Sequence, residues 1–505
     1  MLINDFRSKI QEINPFFLAG LSGILLAISF PYYNLYFVVW IALVPLLLAL
    51  ENVNSKTAFY LGYAQGLVFT IISLFWLRIF HFLALPAMLL VFSLYYGSFA
   101  WLYVLLKKHF PEFKVFLAAC IWTSIEYLRG IGFLGFTWNS LGYSQFENIY
   151  LIQIVCITGI AGLSFLIVLT NVCITEIILT GWKKINSFLI CIGLIISTIC
   201  YGVLSVPDII DAKRDNNSHN LKVGIVQGNF SSELTDDYEK IPVLKKLSSS
   251  FSNIDLIIWT ETVLLDSVIN NPIIKGEIED IAKNNFSYMM VGNPTIEGTS
   301  FSISKAFNSV YLFDMKGKVV DRYDKIHLVP FGEVFPFHNQ FEFIRQWETQ
   351  VDCGGFEPGQ RRTVFKLKNK QNEARFAALI CFEGVFADLS RRFVKDGAQF
   401  LINITNDSWS KSITSHYQHA AMSIFRAVEN RVYLLRAANT GISLVADPYG
   451  RVIKELGVNK RGIINSEIYI AKKENTFYTE YGEIFSQILV CIVIFFCCYM
   501  LISNT

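Results

Sequence analysis

The segment Arg375–Gly384 reads RFAALICFEG. Its apolar part, Phe376–Ile380, has no polar alternation, which is typical of a strand that is covered on both faces of a sheet. Cys381 follows this strand directly, and the carboxylate Glu383 comes two residues later. Residues just beyond the carboxyl ends of buried strands usually carry the chemistry of open α/β folds. The segment therefore predicts a buried strand that ends at either a reactive thiol or a core cysteine.

The chain around this segment has an α/β pattern from Asn220 to about Glu480. Short β-branched runs alternate there with amphipathic stretches, and we expect one layered domain over 220–480. Gly317 and Gly450 mark two hairpin turns. The predicted helices are 272–285, 385–396 and 414–430. The predicted strands are Leu221–Gln227, Asp255–Thr260, Tyr288–Gly292, Asn308–Phe313, Arg375–Cys381, Gln399–Thr405 and Ile442–Ala446.

Two more polar residues lie at or near the ends of predicted strands. Glu261 directly follows a strand, and Lys325 lies in the stretch YDKIHLVPFGE. A free thiol is only slightly ionised at neutral pH, so a nucleophilic cysteine needs a nearby base or cation. A carboxylate can accept the thiol proton, and an ammonium can stabilise the oxyanion of a tetrahedral intermediate. Together with Cys381, these residues predict acyl transfer through a thioester, although each alone has an ordinary structural explanation.

Three blocks resemble, in their order, the signature blocks of the carbon-nitrogen hydrolase (nitrilase) superfamily: WTE with Glu261, YDKIHLVPFGE with Lys325, and CFE with Cys381. The stretches VGIVQGN, NITNDSW and RAANTG extend the resemblance over nearly the whole domain. The resemblance implies an αββα sandwich in which Glu261 is the general base, Lys325 the oxyanion stabiliser and Cys381 the nucleophile. It also implies that Glu333 lies near the active site and that Glu383 supports the backbone around the nucleophile.

The chain departs from that family near its site residues. Thr260 stands where Pro commonly precedes the base, and Phe382 stands where Tyr commonly follows the nucleophile. Ser410 and Lys411 replace an aromatic-glycine pair after Trp409. We expect Phe382 and Trp409 to contact substrate, with Trp409 in an acyl pocket. Simple core packing is the alternative for Trp409.

The chain as a whole is too apolar to be an ordinary soluble enzyme throughout. The 505 residues are 53% hydrophobic, and the mean hydropathy is +0.42. A helix of about 20 residues crosses roughly 30 Å of hydrocarbon, and eight apolar runs have this length or nearly so. We therefore predict a membrane bundle of about eight transmembrane helices, with helices 1–7 over 1–206, plus the extramembrane α/β domain. The predicted spans are 13–31, 35–50, 58–78, 82–106, 113–128, 151–175, 186–206 and 484–502.

Basic residues are distributed unevenly among the loops of this predicted bundle. Short loops rich in Lys and Arg stay in the cytoplasm. With the N-terminus inside, the opposite connections hold essentially Arg78 and Arg129. Seven spans then place the α/β domain outside the cytoplasm, in the periplasm or an equivalent exterior. The basic residues on the cytoplasmic side are Arg7, Lys9, Lys56, Lys107, Lys108, Lys114, Lys183 and Lys184.

The membrane half carries a second resemblance. The stretches IEYLRG, Ile125–Gly130, and TWNSLGYSQ, Thr137–Gln145, resemble membrane-domain blocks of the apolipoprotein N-acyltransferase family, and the resemblance covers essentially the full chain. It implies that a phospholipid donates an acyl chain, through a Cys381 thioester, to the N-terminal amine of a diacylglyceryl-cysteine apolipoprotein. It also implies a multi-pass protein of the Gram-negative bacterial inner membrane with a periplasmic catalytic domain.

Two further groups of residues have open interpretations. Glu126 and Arg129 lie near the outer end of the fifth predicted span, where polar groups are costly and often functional. They could contact a phospholipid head group, or they could form an ion pair at i and i+3. The aromatic stretch 331–347 could be a lid that admits an acyl chain, or it could fold over its own core.

Other functions find less support in the sequence. The net charge of +2 does not indicate nucleic-acid binding. His416 and His419 have no evident third ligand, so we expect no metal, and no motif calls for a cofactor. We expect no disulfide between Cys353 and Cys381, because a nucleophilic Cys381 must remain a free thiol. The alternatives to acyl transfer are a membrane-tethered amidase of the nitrilase type, which uses water as acceptor, and an inactive scaffold that keeps the fold.

Overall fold

A computed structural model describes residues 12–79, 84–181, 185–207, 218–234, 236–298, 305–335, 342, 355–369, 372–471 and 474–503. The chain divides into two compact units. The first unit combines Met1–Val206 with Tyr481–Thr505, and the second is Pro207–Glu480. The second unit is thus inserted, along the sequence, between the last two helices of the first.

The first unit contains helices and loops in its described residues. Short 3₁₀ segments lie at Tyr36–Val38, Phe75–Ile79, Pro111–Phe113, Leu141–Gln145 and Leu151–Ile154. The α-helices are α1 (Pro15–Ile28), α2 (Val39–Ala42), α3 (Val44–Ala49), α4 (Ser55–Ser73), α5 (Ala84–His109), α6 (Lys114–Arg129), α7 (Val155–Thr158), α8 (Ile160–Thr180) and α9 (Ile185–Ser205). A final helix, Ile484–Ser503, follows the second unit.

Four helices of the described chain are long and apolar enough to cross a membrane: α5, α8, α9 and the final helix. The predicted count of about eight spans is not confirmed. The helix α1 has 14 residues and α6 has 16, and α4 ends at Ser73, before the end of the predicted span. The predicted span 151–175 is interrupted at Gly159, whose φ of +61° ends one helix before the next begins.

The predicted span 35–50 is also broken, between α2 and α3. The Leu43 N–H group at this break donates to the Asn171 side chain at 2.8 Å, and the Asn171 amide donates to the Val39 carbonyl at 2.9 Å. Unpaired backbone groups are costly in an apolar environment, and a buried side-chain amide removes that cost. Asn171 on α8 therefore stabilises the interruption between α2 and α3, which the apolar pattern of residues 35–50 did not predict.

Helices α4 and α5 approach each other closely because their contact contains glycine. A Cβ atom placed on Gly62 would collide with the Tyr96 carbonyl oxygen and lie 2.7 Å from the Ala100 Cβ. A Cβ on Gly66 would lie 2.8 Å from the Ser93 Cα. Small residues four positions apart are typical of tightly packed helices in membranes.

The second unit is built from two six-stranded sheets. The first sheet has the order β12-β1-β2-β3-β4-β5, and the second has the order β11-β10-β9-β8-β7-β6. The strands are β1 (Ser218–Gln227), β2 (Leu256–Ile258), β3 (Tyr288–Glu297), β4 (Lys305–Phe313), β5 (Val319–Asp324), β6 (Val364–Asn369), β7 (Asn372–Ile380), β8 (Phe400–Thr405), β9 (Tyr433–Ala438), β10 (Ser443–Ala446), β11 (Val452–Leu456) and β12 (Gly462–Ala471).

Each sheet has three parallel strands at its centre and antiparallel strands outside them. In the first sheet β1, β2 and β3 are parallel, and in the second sheet β7, β8 and β9 are parallel. The first and last strands, β1 and β12, pair antiparallel from Ser218 opposite Ala471 to Gln227 opposite Gly462. The carboxyl ends of the parallel strands are therefore available at one edge of each sheet for polar residues.

Helices cover the outer face of each sheet. The helices are α10 (Asp237–Ser248), α11 (Pro272–Asn285), α12 (Ala387–Lys395), α13 (Ile413–Asn430) and the short α14 (Phe477–Tyr481). Helices α10 and α11 pack on the first sheet, where Leu244, Ile274 and Ile278 join a core that includes Ile257 and Trp259. Helices α12 and α13 pack on the second sheet. This arrangement confirms the predicted αββα sandwich.

The contact between α4 and α5 can be tested with matched glycine substitutions. We expect Gly62→Ala to lower the free energy of unfolding by about 1–3 kcal/mol, because the added methyl forces the two helices apart. Gly193→Ala, in α9, is the control, since a Cβ there meets no atom within 4 Å. Thermal unfolding of both variants in detergent measures the difference. Equal stability of the two would contradict the packing described above.

Candidate active site

The three residues predicted to take part in catalysis, Glu261, Lys325 and Cys381, each follow the end of a strand, and both sheets contribute. Glu261 lies three residues beyond β2, Lys325 follows β5 directly, and Cys381 follows β7 directly. All three side chains are buried. The Glu261 carboxylate, from the first sheet, accepts a hydrogen bond at 2.8 Å from the backbone N–H group of Asn406, which follows β8 in the second sheet. The structure therefore brings the ends of the two sheets together at this site.

Lys325 is enclosed by carboxylates. Its Nζ atom lies 2.9 Å from both carboxylate oxygens of Glu333 and 3.7 Å from Oε1 of Glu261. Burial works against the charge of the ammonium, but the Glu333 and Glu261 carboxylates outweigh burial and raise the pKa of Lys325 above its ordinary value. The lysine is consequently a fixed cation inside the site.

Asn308, in β4, links the two carboxylates around this cation. Its Nδ2 group donates to Oε1 of Glu261 and to Oε1 of Glu333, both at 2.8 Å. Its backbone carbonyl accepts from the Lys325 N–H group at 2.8 Å. The sequence analysis missed this residue, because an asparagine within a strand carries no sign of the residues opposite it. Only the pairing of β4 with β5 reveals its position.

Cys381 has an unusual backbone conformation. Its φ angle is +50°, in the left-handed region that residues with a side chain seldom adopt, and it begins the 3₁₀ segment Cys381–Val385. Two side chains hold its carbonyl oxygen: Asn403 Nδ2 and His419 Nε2 each donate to it at 3.2 Å. The strained conformation is therefore supported from the second sheet and from α13.

Glu383 connects the loop after Lys325 to the strand before Cys381. One oxygen accepts from the Tyr323 hydroxyl at 2.8 Å and from the N–H groups of Ile326 and His327 at 2.7 and 3.0 Å. The other oxygen accepts from the Ile380 N–H group at 2.8 Å. Burial raises the pKa of Glu383 to about 7, although these four donors favour the carboxylate. The residue occupies a position that fixes backbone geometry.

The Cys381 thiol and the Glu261 carboxyl group both have a pKa above the ordinary value of a free group. Burial raises the pKa of Cys381, the Glu261 carboxylate adds to this effect, and Lys325 opposes it. Burial also raises the pKa of Glu261, against the influence of Lys325. Burial therefore favours the protonated thiol over the thiolate at this position, against the expectation from the sequence that a nearby cation favours the ionised form. Ionisation must therefore accompany proton transfer within the site.

Phe382 and Trp409, which the sequence also singled out, both belong to the second unit. Phe382 is buried, and its ring centroid lies 4.9 Å from that of Phe386 and 6.0 Å from that of His327. Trp409 ends the 3₁₀ segment Asp407–Trp409 and is half-buried. Of the aromatic stretch 331–347, the structure describes 331–335 and 342, and Cys353 lies outside the described residues.

Glu126 and Arg129 belong to the first unit and hold the loop that follows α6. Glu126 Oε1 accepts from the Leu141 N–H group at 2.9 Å and from Trp122 Nε1 at 2.8 Å. Arg129 Nη2 donates to the Trp138 carbonyl at 3.0 Å and to the Ser140 hydroxyl at 3.2 Å. These contacts give both residues a structural use. Contact with a lipid head group stays a prediction.

The described residues contain no group of three or more His, Cys, Asp or Glu side chains that could hold a metal ion. His416 Nε2 donates to the Asp407 carbonyl at 2.9 Å, and His419 contacts the Cys381 carbonyl. Both histidines thus hold loops at the end of the second sheet.

Comparison with known proteins agrees with this architecture. Residues 22–173 match the apolipoprotein N-acyltransferase N-terminal domain, and residues 222–476 match the carbon-nitrogen hydrolase domain. A mutant amidase of the nitrilase superfamily from Nesterenkonia AN1 is 18% identical, with a TM-score of 0.39, over 52% of this chain and 94% of the amidase. The match of residues 222–476 to the family model makes the second unit a domain of the carbon-nitrogen hydrolase class.

Two full-length relatives extend the match to the membrane half. An apolipoprotein N-acyltransferase from Geobacter metallireducens is 33% identical over 93% of this chain and 92% of that protein. Apolipoprotein N-acyltransferase 2 from Treponema denticola is 31% identical over 95% of this chain and 96% of that protein. The chain belongs to the apolipoprotein N-acyltransferase family.

The role of Glu383 can be tested with Glu383→Gln. The amide NH₂ group would face hydrogen-bond donors without an acceptor, and such a mismatch costs about 1–3 kcal/mol of stability. We expect a lower unfolding temperature and slower alkylation of Cys381 by iodoacetamide. Glu373→Gln is the control: this residue lies in the preceding strand β7, with a half-buried side chain paired with Arg375, and its substitution should change neither. Normal alkylation of Glu383→Gln would contradict a positioning role.

Proposed function

We propose that this protein transfers an acyl chain from a membrane phospholipid to the N-terminal α-amino group of a diacylglyceryl-cysteine apolipoprotein. One observation carries the proposal: the Cys381 thiol lies beside a buried pair of Lys325 and Glu261, in a domain inserted between apolar helices. Membership of the apolipoprotein N-acyltransferase family supports the choice of acceptor, since relatives of that name align over more than nine-tenths of the chain.

Glu261 and Cys381 perform the first half-reaction. The S–H bond of Cys381 breaks, its proton moves to the Glu261 carboxylate, and the sulfur bonds to the ester carbonyl carbon of the phospholipid. The resulting tetrahedral intermediate collapses with cleavage of the ester C–O bond. The departing lysophospholipid oxygen takes the proton from Glu261, and the acyl chain remains on Cys381 as a thioester. The raised pKa of Glu261 suits its part as proton acceptor, whereas the raised pKa of Cys381 opposes loss of the thiol proton, so Lys325 and the other neighbours of the sulfur must assist this step.

Lys325 stabilises the oxyanion of that intermediate. A buried ammonium in a water-poor site acts strongly on developing negative charge, and loss of one such donor typically lowers the rate by about 10²- to 10³-fold. Glu333 and Asn308 support this role, since Glu333 holds the Nζ atom and Asn308 fixes the two neighbouring carboxylates. The cation is thus positioned before substrate arrives.

The second half-reaction uses the same groups. The neutral amine of the apolipoprotein attacks the thioester carbonyl, Glu261 accepts a proton from the amine nitrogen, and the C–S bond breaks. Glu261 then returns that proton to the Cys381 sulfur. An α-amino group has a pKa of about 7.7–8.0, so an appreciable neutral fraction is present at physiological pH.

The membrane architecture suits two lipid substrates. Both the phospholipid and the diacylglyceryl-cysteine are anchored in the bilayer, so tethering the catalytic domain to the membrane limits the search to two dimensions. We infer that the protein resides in the inner membrane of a Gram-negative bacterium with its catalytic domain in the periplasm. The excess of basic residues in the predicted cytoplasmic loops supports this orientation.

An amidase activity with water as acceptor is the second candidate. The match to the carbon-nitrogen hydrolase domain favours it, since the same three residues would serve either acceptor. The two candidates differ in the fate of the thioester: an acyltransferase keeps it until an amine arrives, whereas an amidase loses it to water.

Intact-mass analysis of the protein purified from membranes tests the reaction directly. We expect an acyl adduct on Cys381 that is stable in buffer and is lost when a diacylglyceryl-cysteine peptide is added, with a matching gain in the mass of the peptide. Loss of the adduct in buffer alone would support the amidase, and absence of any adduct after incubation with phospholipid would refute the thioester scheme.

Variants of the nucleophile provide the control. Cys381→Ala should abolish turnover and the adduct while the unfolding temperature stays near that of the native protein, because the substitution removes only a sulfur atom. Cys381→Ser should form no thioester. Turnover by Cys381→Ala at the native rate would rule out the mechanism.

Orientation can be tested by labelling lysines with a membrane-impermeant amine reagent. Lys246 in the catalytic domain and Lys108 at the end of α5 are both exposed. We expect Lys246 to be labelled in intact spheroplasts and Lys108 only in inverted membrane vesicles. Labelling of Lys108 in spheroplasts would reverse the proposed orientation.

A further inference from the structure

Thr405 is a buried residue that lies beside Cys381 and has no part in the acyl-transfer steps proposed for Glu261, Lys325 and Cys381. It ends β8, which runs parallel to β7 with Ile404 opposite Ile380, so Thr405 and Cys381 follow adjacent strands side by side. The Thr405 side chain is fully buried at this position, and its hydrogen-bonding capacity lowers the pKa of the Cys381 thiol, against the effect of burial. Its hydroxyl also donates to Oδ1 of Asp407 at 2.9 Å.

A hydroxyl has one proton, so Thr405 cannot donate to Asp407 and to the sulfur at once. Asp407 is held as a carboxylate, because Arg436 Nη2 lies 2.9 Å from its Oδ2 atom in a buried pair. A carboxylate only accepts, and the proton of Thr405 therefore points to Asp407 in the unliganded site. The Thr405 oxygen then faces the sulfur with lone pairs, which suits a thiol S–H donor and disfavours a thiolate.

His419 cannot replace Thr405 as a donor to Asp407. Its Nε2 atom contacts the Cys381 carbonyl, which only accepts, so Nε2 carries the ring proton. The Nδ1 atom lies 3.0 Å from Arg436 Nη2 and 3.1 Å from Asp407 Oδ1, and in the neutral ring it is an acceptor for the arginine. Thr405 is consequently the side chain that supplies a proton to Oδ1 of Asp407 in this network.

We propose that Thr405 is a further catalytic residue, whose hydroxyl turns from Asp407 to the Cys381 sulfur when the thiol loses its proton. The proposal rests on the proposed function, since it concerns the same nucleophile. The S–H bond breaks and its proton goes to Glu261, while the O–H bond of Thr405 stays intact and rotates into a hydrogen bond with the thiolate. Once the sulfur is acylated it is a poor acceptor, and the hydroxyl returns to Asp407.

This rotation stabilises the sulfur only while it is charged. The thiol and the thioester receive no proton from the hydroxyl, whereas the thiolate gains a hydrogen-bond donor in a buried site, so the effect falls on the barrier of the chemical step. The charged and titratable groups that face the sulfur are Glu261, Lys325 and Asp407, and His419 and Arg436 lie behind Asp407. Lys325 supplies charge from one side and Thr405 supplies a hydrogen bond from the other.

The test measures the ionisation of Cys381 without any lipid substrate. The full-length protein in detergent is alkylated with iodoacetamide over the pH range of thiol ionisation, and the peptide that contains Cys381 is quantified by mass spectrometry. A hydrogen bond to a charged group shifts ionisation by roughly tenfold or more. We expect Thr405→Val to slow alkylation by about that factor below the titration midpoint, and to move the midpoint to higher pH by about one unit.

Thr405→Ser retains the hydroxyl and should keep the native profile. Thr405→Ala also lacks the hydroxyl, and its side chain is smaller than that of valine. It should shift the midpoint in the same direction as Thr405→Val, even if the valine side chain disturbs the packing around it. Thr363→Val is the matched control, since that buried hydroxyl donates to the Arg322 carbonyl instead.

A native alkylation profile in both Thr405→Val and Thr405→Ala would overturn the proposal, and so would a serine variant that shifts as far as valine does. Reduced thermal stability with an unchanged profile would assign Thr405 a structural role only. Because alkylation needs neither phospholipid nor apolipoprotein, these results stand apart from the outcome of the acyl-transfer assay.

Discussion

The active site depends on one buried carboxylate, that of Glu383. It accepts four hydrogen bonds: two from N–H groups of the loop that follows Lys325, one from an N–H group of the strand that precedes Cys381, and one from the Tyr323 hydroxyl in β5. These segments belong to different sheets and are separated by more than fifty residues of sequence. Coulomb interaction and hydrogen bonding between the reacting groups are useful only at short range, and a small displacement of either segment would separate them. The carboxylate thus fixes the loop after Lys325 and the strand before Cys381 relative to each other.

The remainder of the site follows from the geometry of parallel strands. Each sheet has a central set of three parallel strands, and the residues at their carboxyl ends come together where the two sheets meet. Glu261 comes from one sheet and Cys381 from the other, and the contact of Glu261 with the backbone of Asn406 joins them. Lys325 then lies among carboxylates that keep it charged, while the sulfur is buried and keeps its proton. The same burial that protects the thiol from water requires nearby groups to supply its ionisation.

Sequence patterns predicted the interior of the fold better than its borders. Seven of the eight interior strands were predicted, because buried strands appear as apolar runs. The four strands at the sheet edges, β5, β6, β11 and β12, were not among the predicted strands, since their exposed faces carry charged residues such as those of VVDRYD and VFKLKN. Only the hairpin turns predicted at Gly317 and Gly450 indicated β5 and β11, and both hairpins are present. The interior strand β9 was missed because Arg436 interrupts its apolar run, and its buried partner Asp407 is visible only in three dimensions.

The motif blocks located Glu261, Lys325 and Cys381. The positions of Asn308, Thr405 and His419 depend on strand register and helix packing, which no local pattern encodes. The predicted count of about eight membrane spans is not confirmed, because two of the predicted apolar runs contain breaks at Leu43, which Asn171 holds, and at Gly159.

The pairing of β1 with β12 explains how a catalytic domain can reside between two apolar helices along the chain. Because these strands are the first and last of the domain and lie antiparallel, the chain enters and leaves at neighbouring points, with Ser218 opposite Ala471. Closing a short distance costs little chain entropy, and domains with adjacent termini tolerate transfer into another host. The carbon-nitrogen hydrolase domain therefore begins and ends at neighbouring positions, as an inserted domain does, and its insertion requires no change in the helices on either side.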